Sequence, residues 1–145
     1  MLRHVWTVLC QKTIIDKKTN NVSIVEALEE IKVNYKTKDK KKPARINLPI
    51  HMELVTLWIK DRPTEEVTAD VEVLLIDPEG NQIGKASHQL LVKPSNPRFR
   101  SNVNFDGLAL TTSGEYKFIV QTNGAGSKNM VQVAEVPLTV TLKED

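Results

Sequence analysis

Hydrophobic and polar positions alternate with period two along most of this chain, and turn-forming residues separate the alternating runs. That period places successive side chains on opposite faces of a strand, so it predicts half-buried β-strands rather than helices. Val5 to Cys10 is a short apolar run and reads as a strand buried on both faces. Asp16 to Asn21 is a polar turn carrying Asn20-Asn21. From Ile46, the residues Leu48, Ile50, Met52 and Leu54 alternate with polar neighbours; the phase then shifts to Val55, Leu57 and Ile59. A one-residue shift in a period-two pattern predicts a β-bulge near Leu54-Val55, and Pro49 predicts a free strand edge. On this parity Trp58, beside Lys60, is expected to be partly exposed, and Trp6 in its apolar run is expected to be buried.

The clearest local prediction is a hairpin. Val67, Ala69, Val71, Val73 and Leu75 alternate cleanly, and Asp77-Pro78-Glu79-Gly80 has the proline and glycine positions of a type I turn. Ile83 to Val92 then returns as the partner strand. Phe99, Val103 and Phe105 share one parity, with Arg98, Arg100, Asn102 and Asn104 on the other. Tyr116 to Gln121 is a strand. Asn123 to Asn129 is a polar hairpin loop, and Met130 to Leu142 is the last strand, with a phase shift near Ala134-Glu135 and an edge or bulge at Pro137. Val22 to Val33 fits either a helical period or a strand with an irregularity; the flanking turns and β-branched residues favour the strand.

These runs predict about eight strands, mostly antiparallel because the connections are short. The expected fold is all-β: an antiparallel two-sheet sandwich, immunoglobulin-like, in one domain spanning residues 1–145, with a closed barrel ranked lower because the prolines and bulges suggest managed edges. Ser113-Gly114-Glu115-Tyr116, ahead of a strand and a hairpin, resembles the tyrosine corner of immunoglobulin-like sandwiches, where a tyrosine hydroxyl bonds back to nearby backbone. A length of 145 residues suits one domain with its own core.

Charge adds one feature. The net charge is only +2, but residues 36–45 hold six basic side chains and one acidic, leaving the remainder at −3. Lys36, Lys38, Lys40, Lys41, Lys42 and Arg45 are therefore the candidate anion-binding residues. The plainer reading is a solvated, mobile loop across Thr37 to Ala44. No aromatic residue interleaves the lysines, which argues against base stacking. Arg98 and Arg100 extend the patch if the fold brings them near.

The chemistry of catalysis and metal binding finds few supports. His4, His51 and His88 are scattered, and Asp61, Asp77 and Asp106 include no Asp-x-Asp pair, so no metal site is assigned. Cys10 sits in an apolar strand and is expected to be an inert buried thiol. Glu29 and Glu30 are strand neighbours pointing apart. Gly124 to Lys128 lacks phosphate-loop spacing. No catalytic residue and no cofactor are expected. A single cysteine suits a reducing compartment, and no run is apolar enough to span a membrane, so the cytoplasm is the expected location. A short apolar start ending at Cys10 is a weaker, lipoprotein-like alternative.

Two stretches carry a family resemblance. One runs from Val8-Leu9-Cys10 through Ile15-Asp16 and Thr19-Asn20-Asn21-Val22-Ser23 to Glu29-Glu30-Ile31. The other is Gly114-Glu115-Tyr116-Lys117-Phe118 followed by Val136-Pro137-Leu138-Thr139-Val140. Together they resemble a small family of uncharacterised bacterial proteins. The resemblance implies strand for Val22 to Val33 and supplies no active site. The functional expectation is a non-catalytic interaction module with a protein partner or self-association. Weak nucleic-acid or other anion binding through residues 36–45 is the first alternative, and an enzyme or enzyme subunit with an unrecognised site is the second.

Overall fold

A computed structural model describes residues 2–36, 45–124 and 128–144. Eleven strands and no helix are found among them. β1 (Leu2–Ile15), β2 (Val22–Ala27), β5 (Met52–Lys60) and β8 (Arg98–Phe105) form a four-stranded sheet in the order β2-β1-β5-β8. A five-stranded sheet has the order β3-β11-β10-β6-β7, built from β3 (Glu30–Tyr35), β6 (Val67–Ile76), β7 (Gln82–Val92), β10 (Gly114–Thr122) and β11 (Val131–Glu144). β4 (Ile46–Leu48) and β9 (Leu108–Leu110) make a small separate ribbon. All pairings are antiparallel except β3 with β11, which is parallel.

One hydrophobic cluster joins all three sheets. Leu9, Leu54 and Trp58 enter it from the first sheet, Val71, Phe118 and Leu138 from the second, and Leu110 from the ribbon. Phe105 meets Phe118 edge-to-face with ring centroids 5.3 Å apart, linking the two larger sheets, an arrangement aromatic pairs prefer.

The strand count exceeds the expected eight because two apolar runs are broken and Leu108–Leu110 forms a short strand of its own. Ile46 to Ile59 is not one strand. The chain leaves β4 at Pro49 and re-enters a different sheet at Met52. Likewise Val22 to Val33 is strand, but as β2 and β3, which lie in different sheets with the crossing at Leu28-Glu29.

The bulge expected at Leu54-Val55 is absent. β5 pairs with β8 in unbroken register from Met52 to Ile59. Its apparent phase shift has another cause: Val55 is buried on the outer face of β5 as Leu54 is on the core face. The irregularity is in β1 instead. His4 pairs with Trp58 and Trp6 with Leu57, leaving Val5 as the extra residue. That slip sends Trp6 to the outer face, half-buried, while Trp58 keeps the parity of Leu54 and is fully buried. Both tryptophan expectations are thereby reversed.

Trp58 is expected to be partly exposed from its parity opposite Leu57 and Ile59 and its place beside Lys60, yet Lys60 is itself buried. Its Nζ donates to the carbonyls of Pro63, Glu65 and Lys93 at 2.7–2.9 Å, and to that of Pro94 at 3.4 Å. The ammonium thus finds its partners in the backbone of two loops, as a buried charge requires.

The β6–β7 hairpin forms as expected. Asp77 Oδ1 accepts from the backbone N–H of Glu79 and Asn81, and Gly80 N–H donates to the Asp77 carbonyl. This turn packs against the start of β10, where a Cβ on Gly114 would fall 2.8 Å from Pro78 Cβ. Gly114 has φ +143°, a second reason for glycine there. Two residues on, Tyr116 is fully buried and its hydroxyl donates to the Thr112 carbonyl at 2.7 Å. The same oxygen accepts from Thr111 N and Thr112 N. The backbone bond expected of Tyr116 is present. In β11 the irregularity falls at Val133, one residue from its expected place. Pro137 lies in a part of β11 paired only with β10, so its missing N–H disturbs no ladder.

Candidate functional site

The β1–β2 turn is built on Asp16. Its Oδ1 accepts from the backbone N–H groups of Lys18 and Thr19, and these bonds hold its carboxyl below the usual carboxylate range. Asn20 completes the turn at φ +59°, a conformation asparagine tolerates better than most residues. In sheet order β5 separates the β1–β2 hairpin from β8. Nevertheless Arg100 Nη2 of β8 donates to the Asn20 carbonyl at 2.7 Å and to Asn20 Oδ1 at 3.2 Å. The four-stranded sheet therefore curls until its first turn reaches its far edge.

A second tie lies further along the same face. Glu53 of β5 accepts from Thr13 N at 2.9 Å and Thr13 Oγ1 at 3.3 Å, and from Asn102 Nδ2 at 2.7 Å. One carboxylate thus joins β1, β5 and β8. Cys10 is fully buried beside it, its Sγ 3.6 Å from the Glu53 carbonyl oxygen. Burial and then the Glu53 charge push the Cys10 thiol up, which keeps it protonated and unreactive at neutral pH.

Between the turn and β8 the curl leaves a cleft of about 380 Å³. Ile15, Thr19, Asn20 and Asn21 form its turn side. Leu57 and Phe99 supply apolar surface, and Asn96, Arg98 and Arg100 supply polar groups. Its lining contains two guanidinium groups and no carboxylate. β8 pairs only with β5, so its other edge is open among the described residues.

Of the residues expected to bind anions, Lys36 and Arg45 are exposed just outside β3 and β4, and neither lines the cleft. Lys38, Lys40, Lys41 and Lys42, with the expected mobile segment Thr37 to Ala44, lie outside the described residues. Arg98 and Arg100 do share the polar face expected of their strand, but what the fold gathers around them is the β1–β2 turn. His51 is exposed, with Nδ1 2.7 Å from Asp106 Oδ1 and Nε2 3.9 Å from Glu53 Oε2. His88 lies on β7 opposite Val71, and burial lowers its pKa. His4 packs edge-on against Trp58 and hydrogen-bonds Thr7 at 2.7 Å.

The family model that matches this chain, described as a family of unknown function (DUF6941), covers residues 6–141. The chain belongs to that family. The DUF6941 match runs from Trp6 in β1 to Thr141 in β11, so it takes in the β1–β2 turn, β5, β8 and the cleft between them. No curated protein matches the chain.

Proposed function

We propose that this chain is a non-catalytic binding module that meets its partner on the Arg98–Arg100 face of β8. The observation that carries this reading is the cleft itself. A cation-lined hollow is walled on one side by the Arg100–Asn20 contact and lies beside a strand edge with free backbone donors and acceptors among the described residues. An extended segment of a partner gains main-chain hydrogen bonds along such an edge, with side-chain pockets giving selectivity. Small clefts of this size also suit compact ligands.

In this reading the scaffold is a single immunoglobulin-like sandwich working in the bacterial cytoplasm. The shared core of the two larger sheets and the Tyr116–Thr112 bond support the sandwich. The one cysteine, buried and unpaired, suits a reducing compartment.

The test is a comparison of proteins retained from native cells by the parent chain and by Arg98→Glu. Arg98 is exposed and its side chain makes no hydrogen bond or ion pair among the described residues, so reversal should spare the fold. Retained partners should be lost on reversal; an unchanged set would overturn the reading.

A second reading assigns anion binding to residues 36–45, favoured by the exposure of Lys36 and Arg45 at the two ends of that segment. It predicts nucleic-acid affinity that falls steeply with salt, by about −0.9 in log affinity per log salt for each duplex phosphate neutralised. Affinity that is insensitive to salt, or unchanged after the six basic residues become Ser or Gln, would remove it.

A further inference from the structure

The two guanidinium groups of the cleft are in different states. Arg100 is committed on one side to Asn20. Arg98 is uncommitted among the described residues. They stand two positions apart on one face of β8, about 6.6–6.8 Å along the strand. An oxyanion of the right reach can therefore bridge them, and guanidinium is the group best shaped for carboxylate and phosphate.

No acid competes for these cations from within the cleft. On the same sheet face the carboxylate of Glu53 is engaged by Thr13 and Asn102. Asp16, at the base of the turn, is engaged by backbone N–H groups. Asn21 and Asn96 add neutral polar groups, while Leu57 and Phe99 offer apolar surface beside the charge. The combination suits a ligand that is charged at one end and apolar at the other.

We propose that this cleft binds an oxyanion carried on a compact apolar body, a carboxylate or a phosphate monoester. The inference rests on the binding face proposed above and names the chemistry that face accepts. The two sources of the oxyanion are distinguished by probes of equal ring size.

The experiment is a titration of the full chain with benzoate, phenyl phosphate and neutral benzamide, followed by amide and side-chain nitrogen resonances. At least one aryl anion should give saturable shifts confined to Asn20, Asn21, Asn96 and the start of β8, and benzamide should give none. The tighter of benzoate and phenyl phosphate identifies the oxyanion. Arg98→Gln should weaken that binding about tenfold, the loss of one charge-assisted contact. Absence of saturable shifts with both anions, equal shifts with benzamide, or undiminished affinity in Arg98→Gln would each overturn the proposal. If neither anion binds yet Arg98→Glu still strips the native partner, the oxyanion assignment fails and the binding face stands. If an anion binds but partner retention ignores Arg98, the cleft is a ligand site and the partner face fails.

Discussion

Arg100 on β8 donates to the carbonyl of Asn20 at 2.7 Å, although β5 lies between β8 and the β1–β2 hairpin in the sheet. This contact fixes the β1–β2 turn over the sheet and defines one wall of the cleft. Arg100→Ala should therefore release the turn without unfolding the chain. The expected cost is about 1 kcal/mol, the usual net value of a hydrogen bond. Trypsin should then cut after Lys17 or Lys18, exposed in the turn, much faster than in the parent. Equal cutting rates would mean that the turn holds its place by other means.

Trp58 and Ser101 form a second decisive pair. The Trp58 indole N–H donates to Ser101 Oγ at 2.9 Å, and both residues are buried. Ser101→Ala should cost about 1–3 kcal/mol in urea unfolding, because the indole donor is left without an acceptor in the core. A soluble quencher should reach half-buried Trp6 and leave Trp58 untouched when each is the sole tryptophan. A fully quenched Trp58 would contradict its place in the core, and an unquenched Trp6 would contradict the bulge at Val5.

Tyr116→Phe removes one donor and leaves two backbone N–H groups, those of Thr111 and Thr112, without their acceptor. The ring remains and packs as before. A loss of about 1–3 kcal/mol is expected, with the unfolding slope unchanged. A variant as stable as its parent would show that the hydroxyl is not a determinant of this end of the fold.

His88 has a buried Nε2 with no hydrogen-bond partner among the described residues, and burial holds its pKa below the ordinary histidine value. Protonation therefore favours the unfolded chain. The stability tied to neutral His88 is present above about pH 6.5, the ordinary histidine value, and is lost as pH falls below it toward the folded value. His4 is shifted in the same direction, also by burial. His88→Leu should be at least as stable as the parent at neutral pH and should lose less stability on acidification to pH 5. His4 remains to supply the residual slope. A steeper acid loss in His88→Leu would reverse the sign of this account.

The sequence was legible where a strand has one buried face. The β6–β7 hairpin and the parity of β8 could be read directly, since alternation there reports burial. Reading stopped where both faces are covered. In β5 the burial of Val55 on the second face imitates a bulge, and the real bulge at Val5 leaves no mark in an apolar run. The buried Lys60 imitates a surface position because its partners are loop carbonyls, which any residue type can supply. The cleft was invisible for a similar reason. Arg98 and Arg100 could be placed on a polar face, but the curl that brings Asn20 to them depends on the twist of four strands together. The basic segment stood out only because its charges are contiguous; Arg98 and Arg100 meet the turn in space alone.

In the proposed function the partner is met at β8 beside the cleft. A photocrosslinking residue at position 104, exposed on the same face as Arg98 and Arg100, tests it in native cells. A matched control at position 79, exposed in the β6–β7 turn, reports the remote surface. A discrete crosslinked product is expected from position 104 that disappears with Arg98→Glu, and none from position 79. A product from position 79 with none from position 104, or one from position 104 that survives Arg98→Glu, would contradict it.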